Sequence, residues 1–500
     1  MSAEPPFEQF NTRGRSLGQW LKAEPTGRET WVLGVLLALL ACLPVLLATY
    51  PQMVDYPAHM ARYHVMLSRD QDPFLQRYYG FEWRWMGNLG ADMLIRPLSL
   101  LFPLETAGRI IAGLIPVMTG LGILCVEWAL RRRIGLASML AFAFIWSPAL
   151  LLGFLNFGIS LALALFAFAL WVRMEGNRWR PWVFMPISVV IYLCHVSGWG
   201  ALGVLVFGYE WQRTKSIEAF FRPMPLAVPM IGLLAFGGSR ELASYGSHPD
   251  IYKWSIWKQA MRGSIEWIDY GSVWLIGAVL LGSIALRRFD GRMGWAAVIM
   301  LILSLILPRH IFGGDLVDAR MISTGLLVGC LALSWRAPRW VLLLAPLLFL
   351  GRLALTTNDW VRESAHTAEL LGALDHLPEG AKVATLVVTE RRTWGYNTQE
   401  HVGAWSVVRL DALNNSNFAL PKVHMLTLRE GGARFIDPYH RLLHRRGTPI
   451  NLVDYAPARS ADWFWYVGAQ EPVSLPTGFV VEARGKGWLL ARLANRPHDS

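Results

Sequence analysis

Uncharged apolar runs dominate the chain and set its reading. The first, 31–49 (WVLGVLLALLACLPVLLAT), carries no charge and is close to the ~20 residues a helix needs to cross a hydrocarbon layer. Similar runs recur, and we expect about eleven spans of that kind, near 31–50, 106–129, 136–152, 157–172, 181–195, 197–211, 223–239, 271–286, 293–307, 321–335 and 340–354. The stretch 134–172 lacks any charge and is too long for one span. Pro148, Gly153 and Gly158 punctuate it, so it is read as a hairpin turning near Asn156.

Beyond 354 the pattern changes. The segment 367–378 (TAELLGALDHLP) reads as an amphipathic helix stopped by Pro378. Segments 381–390 and 462–469 read as strands, and 478–493 as a hairpin turning at Gly485-Lys486-Gly487. The basic stretch 440–446 (HRLLHRR) is expected to form a surface helix. The predicted organisation is a polytopic helical membrane protein: a cytoplasmic segment 1–30, a membrane module 31–354 with a long first external loop 51–105, and an extracytoplasmic α/β domain 355–500. Within the first loop, 78–97 (YYGFEWRWMGNLGADMLIRP) mixes aromatic and charged residues, as a helix lying in the membrane interface would.

Composition agrees with this picture: 54% of residues are hydrophobic and 17% charged, with 24 Trp and 23 Phe. No A-x-A site follows the first run, so a retained span is expected there and not a cleaved leader. The formal charge of +11 is concentrated at arginine clusters such as Arg131-Arg132-Arg133, Arg173/Arg178/Arg180 and Arg287/Arg288/Arg292. These fall in alternate connections between runs, as cytoplasmic loops do under the positive-inside rule. No basic stripe with interleaved aromatics points to nucleic acid. All four cysteines lie in apolar runs, with no zinc-type spacing. Orientation with the N-terminus inside leaves 51–105, 240–270, 308–320 and the tail outside, a layout that fits a bacterial inner membrane.

Chemistry is expected in those external segments. Asp55, His59, Arg62 and Tyr63 follow the first run closely, and a helix beginning at Pro57 sets His59 beside Arg62 and Tyr63. An acid, an imidazole and a guanidinium at a lipid interface can bind a phosphate and deprotonate a hydroxyl. The segment 308–321 supplies Arg309, His310, Asp315, Asp318 and Arg320; arginine suits phosphate because its planar fork donates two hydrogen bonds. His195, between two apolar runs, is a further candidate for the same cavity. Asp55 with Asp315 and Asp318 could hold Mg²⁺ or Mn²⁺.

This layout, with "VDYPAHMARY" just after the first run, resembles the GT-C class of membrane glycosyltransferases, and is similar to its protein mannosyltransferase and aminoarabinose transferase branches. The resemblance implies a polyprenyl-phosphate-linked sugar donor, a glycan, glycolipid or protein acceptor, Asp55 as base or metal ligand, and a basic residue near Arg320 holding the lipid phosphate. Several branches carry paired acids in this loop, whereas Asp55 is followed by Tyr56. Two other classes remain: a glycan polymerase or ligase working through Arg309 and His310, and a lipid or solute transporter. The absence of inverted repeats and of polar residues at mid-span weighs against the transporter.

Overall fold

The computed structural model describes residues 16–231, 243–311, 314–391, 393–419 and 424–494. Helices make up nearly all of it before Leu371. Among the described residues four helices are long and apolar enough to cross a membrane: Leu104–Arg131, Leu155–Arg173, Glu266–Ala285 and Arg339–His376. Leu136–Leu151, Arg180–Cys194 and Gly291–Ile306 are shorter apolar helices. The first apolar run is broken into Gly27–Leu40 and Leu43–Leu47, because Pro44 has no amide to continue the hydrogen-bond ladder. The stretch 134–172 also breaks, and Leu155–Arg173 begins just past the turn at Gly153. The second half of the expected span 223–239, from 232 on, lies outside the described residues.

The helices pack closely where side chains are small. A methyl group at Gly208 would stand 2.7 Å from the Ala296 backbone nitrogen, so Val196–Thr214 and Gly291–Ile306 touch almost backbone to backbone. Outward faces are apolar: on Glu266–Ala285, Trp267, Trp274 and Leu281, spaced by sevens along one face, are all at least 70% exposed. A stripe of that size is costly in water and suits hydrocarbon.

Arginines read as topology signals also tie the helices together at one end. Glu210, fully buried, accepts from Trp171 Nε1 at 2.9 Å, Arg180 Nη2 at 2.8 Å, Arg213 Nη1 at 3.0 Å and Arg222 Nη1 at 3.2 Å. Asp290 takes Arg131 at 3.1 Å and Arg292 at 2.8 Å.

Eight strands follow in chain order: β1 (Tyr79–Phe81), β2 (Lys382–Glu390), β3 (Leu413–Asn414), β4 (Leu426–Leu428), β5 (Arg441–His444), β6 (Trp463–Val467), β7 (Phe479–Gly485) and β8 (Trp488–Leu493). Six form one mixed sheet, ordered β3-β2-β6-β8-β7, with β5 also on β2. β2 runs parallel to β3, β5 and β6, while β8 is antiparallel to β6 and β7. β6 is buried along its whole length, as the near-continuous apolar WFWYV demands of a central strand. β2, β6 and the β7–β8 hairpin stand on the segments whose alternation predicts strands.

Three local expectations are corrected. The stretch 440–446 is not a helix: residues 441–444 pair with the end of β2 as β5, tertiary pairing overriding local preference. The stretch 78–97 is not one interfacial helix. Its aromatic start pairs as β1 with β4, Tyr79 opposite Leu428, and a helix begins only at Gly90, after an irregular run containing Gly87. The helix expected to end at 354 does not end there: Arg339–Leu371 is one unbroken helix; no proline follows Pro346 in it, and a single glycine at 351 is tolerated.

β1 and β4 form a separate two-stranded sheet, and the first loop reaches the C-terminal segments through other contacts too. Tyr78 Oη donates to Gly380 O at 2.7 Å, Tyr79 Oη to Ala412 O at 3.0 Å, and His64 lies 2.6 Å from Asp411. Glu210→Ala leaves Arg180 buried without its counter-ion and is expected to lower stability by about 3–5 kcal/mol. Thermal unfolding in detergent reads this as a fall in Tm; an unchanged melt removes Glu210 as the shared counter-ion.

Candidate functional site

The site grows from a turn. The backbone amides of Val54 and Asp55 donate to Leu151 O at 3.2 Å and Leu152 O at 3.0 Å, so the start of the first loop is stitched to the break in 134–172. Gly153 makes this approach feasible. Its φ is +94°, and a methyl group there would meet Asp55 Cβ at 3.0 Å. Asp55 then stands at the head of helix Tyr56–Ser68 without a side-chain capping bond, and Pro57 lies in the first turn. This helix is buried on nearly every side because it lies between Leu104–Arg131 and a short helix, Ala404–Leu410.

His59, Arg62 and Tyr63 come together on that helix. His59 Nε2 donates to Gly153 O at 3.2 Å, and its Nδ1 accepts from Arg62 Nη2 at 3.3 Å. Its ring stacks on Tyr63 with centroids 6.0 Å apart. Burial, with the Arg62 charge beside it, holds the imidazole well below its ordinary range, so His59 is neutral. Arg62 does not stand free for phosphate as expected. It pairs with buried Asp92 at 2.9 Å, and Asn156 donates to the same carboxylate oxygen at 3.3 Å. The pair clamps the first loop to Leu155–Arg173.

Asp55 itself keeps 22% of its side chain open and faces a cavity of about 2390 Å³. Helices form one side of that cavity, and segments around β2 and β5 form the other. His401 Nε2 stands 3.6 Å from Asp55 Oδ1, and Glu400 and Asp437 add carboxylates nearby. Burial and those two neighbours hold the Asp55 carboxyl well above the usual carboxylate range, against the opposing pull of Arg441 and Arg320. Arg441, an ion-pair partner of Glu400, also lies 3.5 Å from Asp437 Oδ1. The His401 imidazole is pushed down to about 3 by burial and then by Arg441. His424 is likewise pushed down to about 3, by burial and then by Arg62.

Arg320 also lines the cavity, from the first turn of Val317–Leu331. Its guanidinium lies over Phe154 at 4.3 Å and near Phe157 at 5.7 Å. The residue is buried, its Nε has no hydrogen-bond partner, and among the described residues no carboxylate pairs with it. A buried, unpaired guanidinium is costly unless an anion joins it.

The other candidates are committed elsewhere. Arg309 grips Asp315 at 2.8 Å and 3.2 Å, and His310 lies 3.3 Å from the same acid. Asp318 is buried against Lys253 at 2.5 Å and Tyr252 Oη at 3.1 Å. Asp315 and Asp318 are thus engaged in ion pairs, and among the described residues neither belongs to a group of clustered metal-ligand atoms. His195 caps Val196–Thr214, its Nδ1 accepting from Ser197 N at 3.0 Å, so it shapes the cavity wall as a helix cap.

Glu400, His401, His424 and Asp437 were not among the residues the sequence singles out, and His440 and Arg441 were read only as part of a surface helix. The available signal was an acid beside an imidazole, adjacent at 400–401 and three apart at 437–440, echoing Asp55 and His59. The chain matches no family model and no curated protein sequence.

Gly153→Ala places a side chain in the left-handed region and against Asp55, at a cost of about 1–3 kcal/mol. A lower Tm in detergent is expected; a melt indistinguishable from wild type shows that the turn relaxes without strain.

Proposed function

We propose that the chain is an integral-membrane glycosyltransferase of the GT-C type, moving a sugar from a polyprenyl-phosphate donor to a glycan, glycolipid or protein acceptor outside the cytoplasm. In this reading about eleven spans cross a bacterial inner membrane, and the sheet-bearing end stands on the outer side. The observation that carries it is Arg320: a buried, unpaired guanidinium on an aromatic platform, in the same cavity as Asp55. A lipid phosphate supplies the missing anion, and the cavity's apolar walls suit a prenyl chain.

A glycosyl phosphate is already an activated donor, so the protein's task is positioning and charge stabilisation. The acceptor hydroxyl attacks the anomeric carbon as the bond to the phosphate oxygen breaks. Asp55 takes the hydroxyl proton, Arg320 neutralises the departing lipid phosphate, and a single displacement inverts the anomeric centre. The raised carboxyl of Asp55 is a stronger base, once ionised, than an exposed aspartate. The polymerase reading draws less support, since Arg309 and His310 face Asp315.

In a strain lacking the protein, complementation with Asp55→Asn at matched membrane levels should leave the acceptor glycan short of one sugar, with one polyprenyl-phosphate sugar accumulating. In vitro, transfer should fall by about 10²–10⁴. Arg320→Met should weaken donor binding by roughly 10- to 100-fold, the equivalent of ~1.5–3 kcal/mol for a charge-assisted contact. Normal glycans with both variants, read by mass spectrometry, would overturn the transferase reading.

A further inference from the structure

Beside Asp55 lies a group of side chains that the transfer step does not use. One ligand-capable atom from each of Glu400, His401 and His440 lies within 4.8 Å of the others. The backbone holds the three in place. His440 O accepts from Val387 N of β2 at 2.8 Å, just before β5 begins. Glu400 and His401 sit in the turn leading into Ala404–Leu410. Ser416 fixes the His401 ring through Nδ1 at 3.2 Å, which leaves Nε2 turned towards Asp55 at 3.6 Å.

His440 is the telling residue. Its side chain is 0% exposed, and among the described residues neither ring nitrogen has a hydrogen-bond partner. The nearest acidic oxygen, Asp437 Oδ1, is 3.5 Å from Nδ1 and is itself without a hydrogen bond. Buried polar groups are nearly always satisfied, and each one left bare costs about 1–3 kcal/mol. Around this point stand three carboxylates, Asp55, Glu400 and Asp437, with Arg441 as the guanidinium that faces them. Carboxyl groups therefore outnumber the guanidinium groups of Arg441 and Arg320 at the same place as the unsatisfied imidazole.

We propose that Glu400, His401 and His440 form a binding site for a divalent transition-metal ion of the zinc class, with Asp55 facing the remaining coordination position. Two imidazoles and one carboxylate suit a borderline cation, whereas Mg²⁺ prefers oxygen ligands and its own waters. Three protein ligands leave a fourth position for water or a substrate oxygen, the pattern of catalytic zinc sites as opposed to closed structural ones. Donor atoms at ~2.0–2.1 Å from a tetrahedral ion stand roughly 3.4 Å apart, a spacing that side chains whose ligand atoms lie within 4.8 Å of one another reach by a small inward adjustment. The Ser416 bond to His401 is the outer tie that metal-binding imidazoles characteristically make. This site does not depend on sugar transfer, because its readout is metal bound per chain.

The test uses the full chain in detergent, purified with a tag free of histidine and stripped with a chelator. It is then dialysed against Zn²⁺ or against Mg²⁺ at equal concentration, and metal is counted by mass spectrometry. About one Zn²⁺ per chain is expected and no retained Mg²⁺. His440→Ala and His401→Ala should each lower retained zinc at least about tenfold. Glu379→Gln, in a separate acidic group with Asp72 and Asp411, should leave it unchanged. Should the histidine variants fail to fold, wild type reloaded with Co²⁺ decides the matter. A visible spectrum of four- or five-coordinate cobalt without thiolate charge transfer supports the site, and a six-coordinate spectrum overturns it. Wild type retaining less than about a tenth of an equivalent of zinc, or a folded His440→Ala binding as wild type does, also overturns it.

Discussion

Two backbone hydrogen bonds, from Val54 and Asp55 to the carbonyls of Leu151 and Leu152, fix the position on which the rest of the site depends. They join the end of the first apolar run to a turn a hundred residues on, without using any side chain. Asp55 thereby stands at the head of a helix, its place set by main-chain geometry. The helix it starts carries His59 back to Gly153 O and Arg62 across to Asp92. The same turn is thus held from several directions, and the acid is presented to the cavity at a defined height. Were the turn to open, the clamp and the approach of His401 would be lost together.

Charge is distributed unevenly around this junction. At the arginine-rich end of the helices, Glu210 and Asp290 collect guanidinium groups and each is satisfied more than once. Around the cavity, among the described residues, Arg320 has no ion-pair partner and His440 has no hydrogen bond. Folded proteins rarely leave buried polar groups bare, and they do so where a ligand completes them. Buried atoms without a partner remain at the arginine-rich end too, at Arg131 Nη1 and Arg339 Nε; what sets Arg320 apart is the open cavity it lines.

Much of the scaffold was legible in the chain. Uncharged runs marked the long helices, and Gly153 with Pro148 marked the break between them. Alternation and the Gly485–Gly487 turn marked β2, β6 and the last hairpin. Asp55, His59 and Arg320 were found as cavity residues because ionisable groups at the ends of apolar runs stand out. The other half of the site was not legible. β5 depends on pairing with β2, a contact between residues more than fifty apart, and its own sequence carries no strong alternation. Arg62 looked available because its partner, Asp92, lies thirty residues on. Nothing local distinguishes a paired arginine from a free one.

The helix Arg339–Leu371 runs 33 residues without a break, about 50 Å at 1.5 Å per residue. That exceeds the ~30 Å of a hydrocarbon layer, so one continuous rod reaches from the apolar bundle to the level of the sheet. Ser364 and Thr367 on its far part hold Tyr50 and Gln52, at the end of the first apolar run. The rod acts as a mast: its base stands among the bundle helices, its upper section is lashed to the loop that carries Asp55, and the sheet is mounted beside it. A mast has no elbow. Widening the cavity then requires tilting the whole mast or slackening its lashings, and access for a bulky substrate becomes a matter of leverage along one helix.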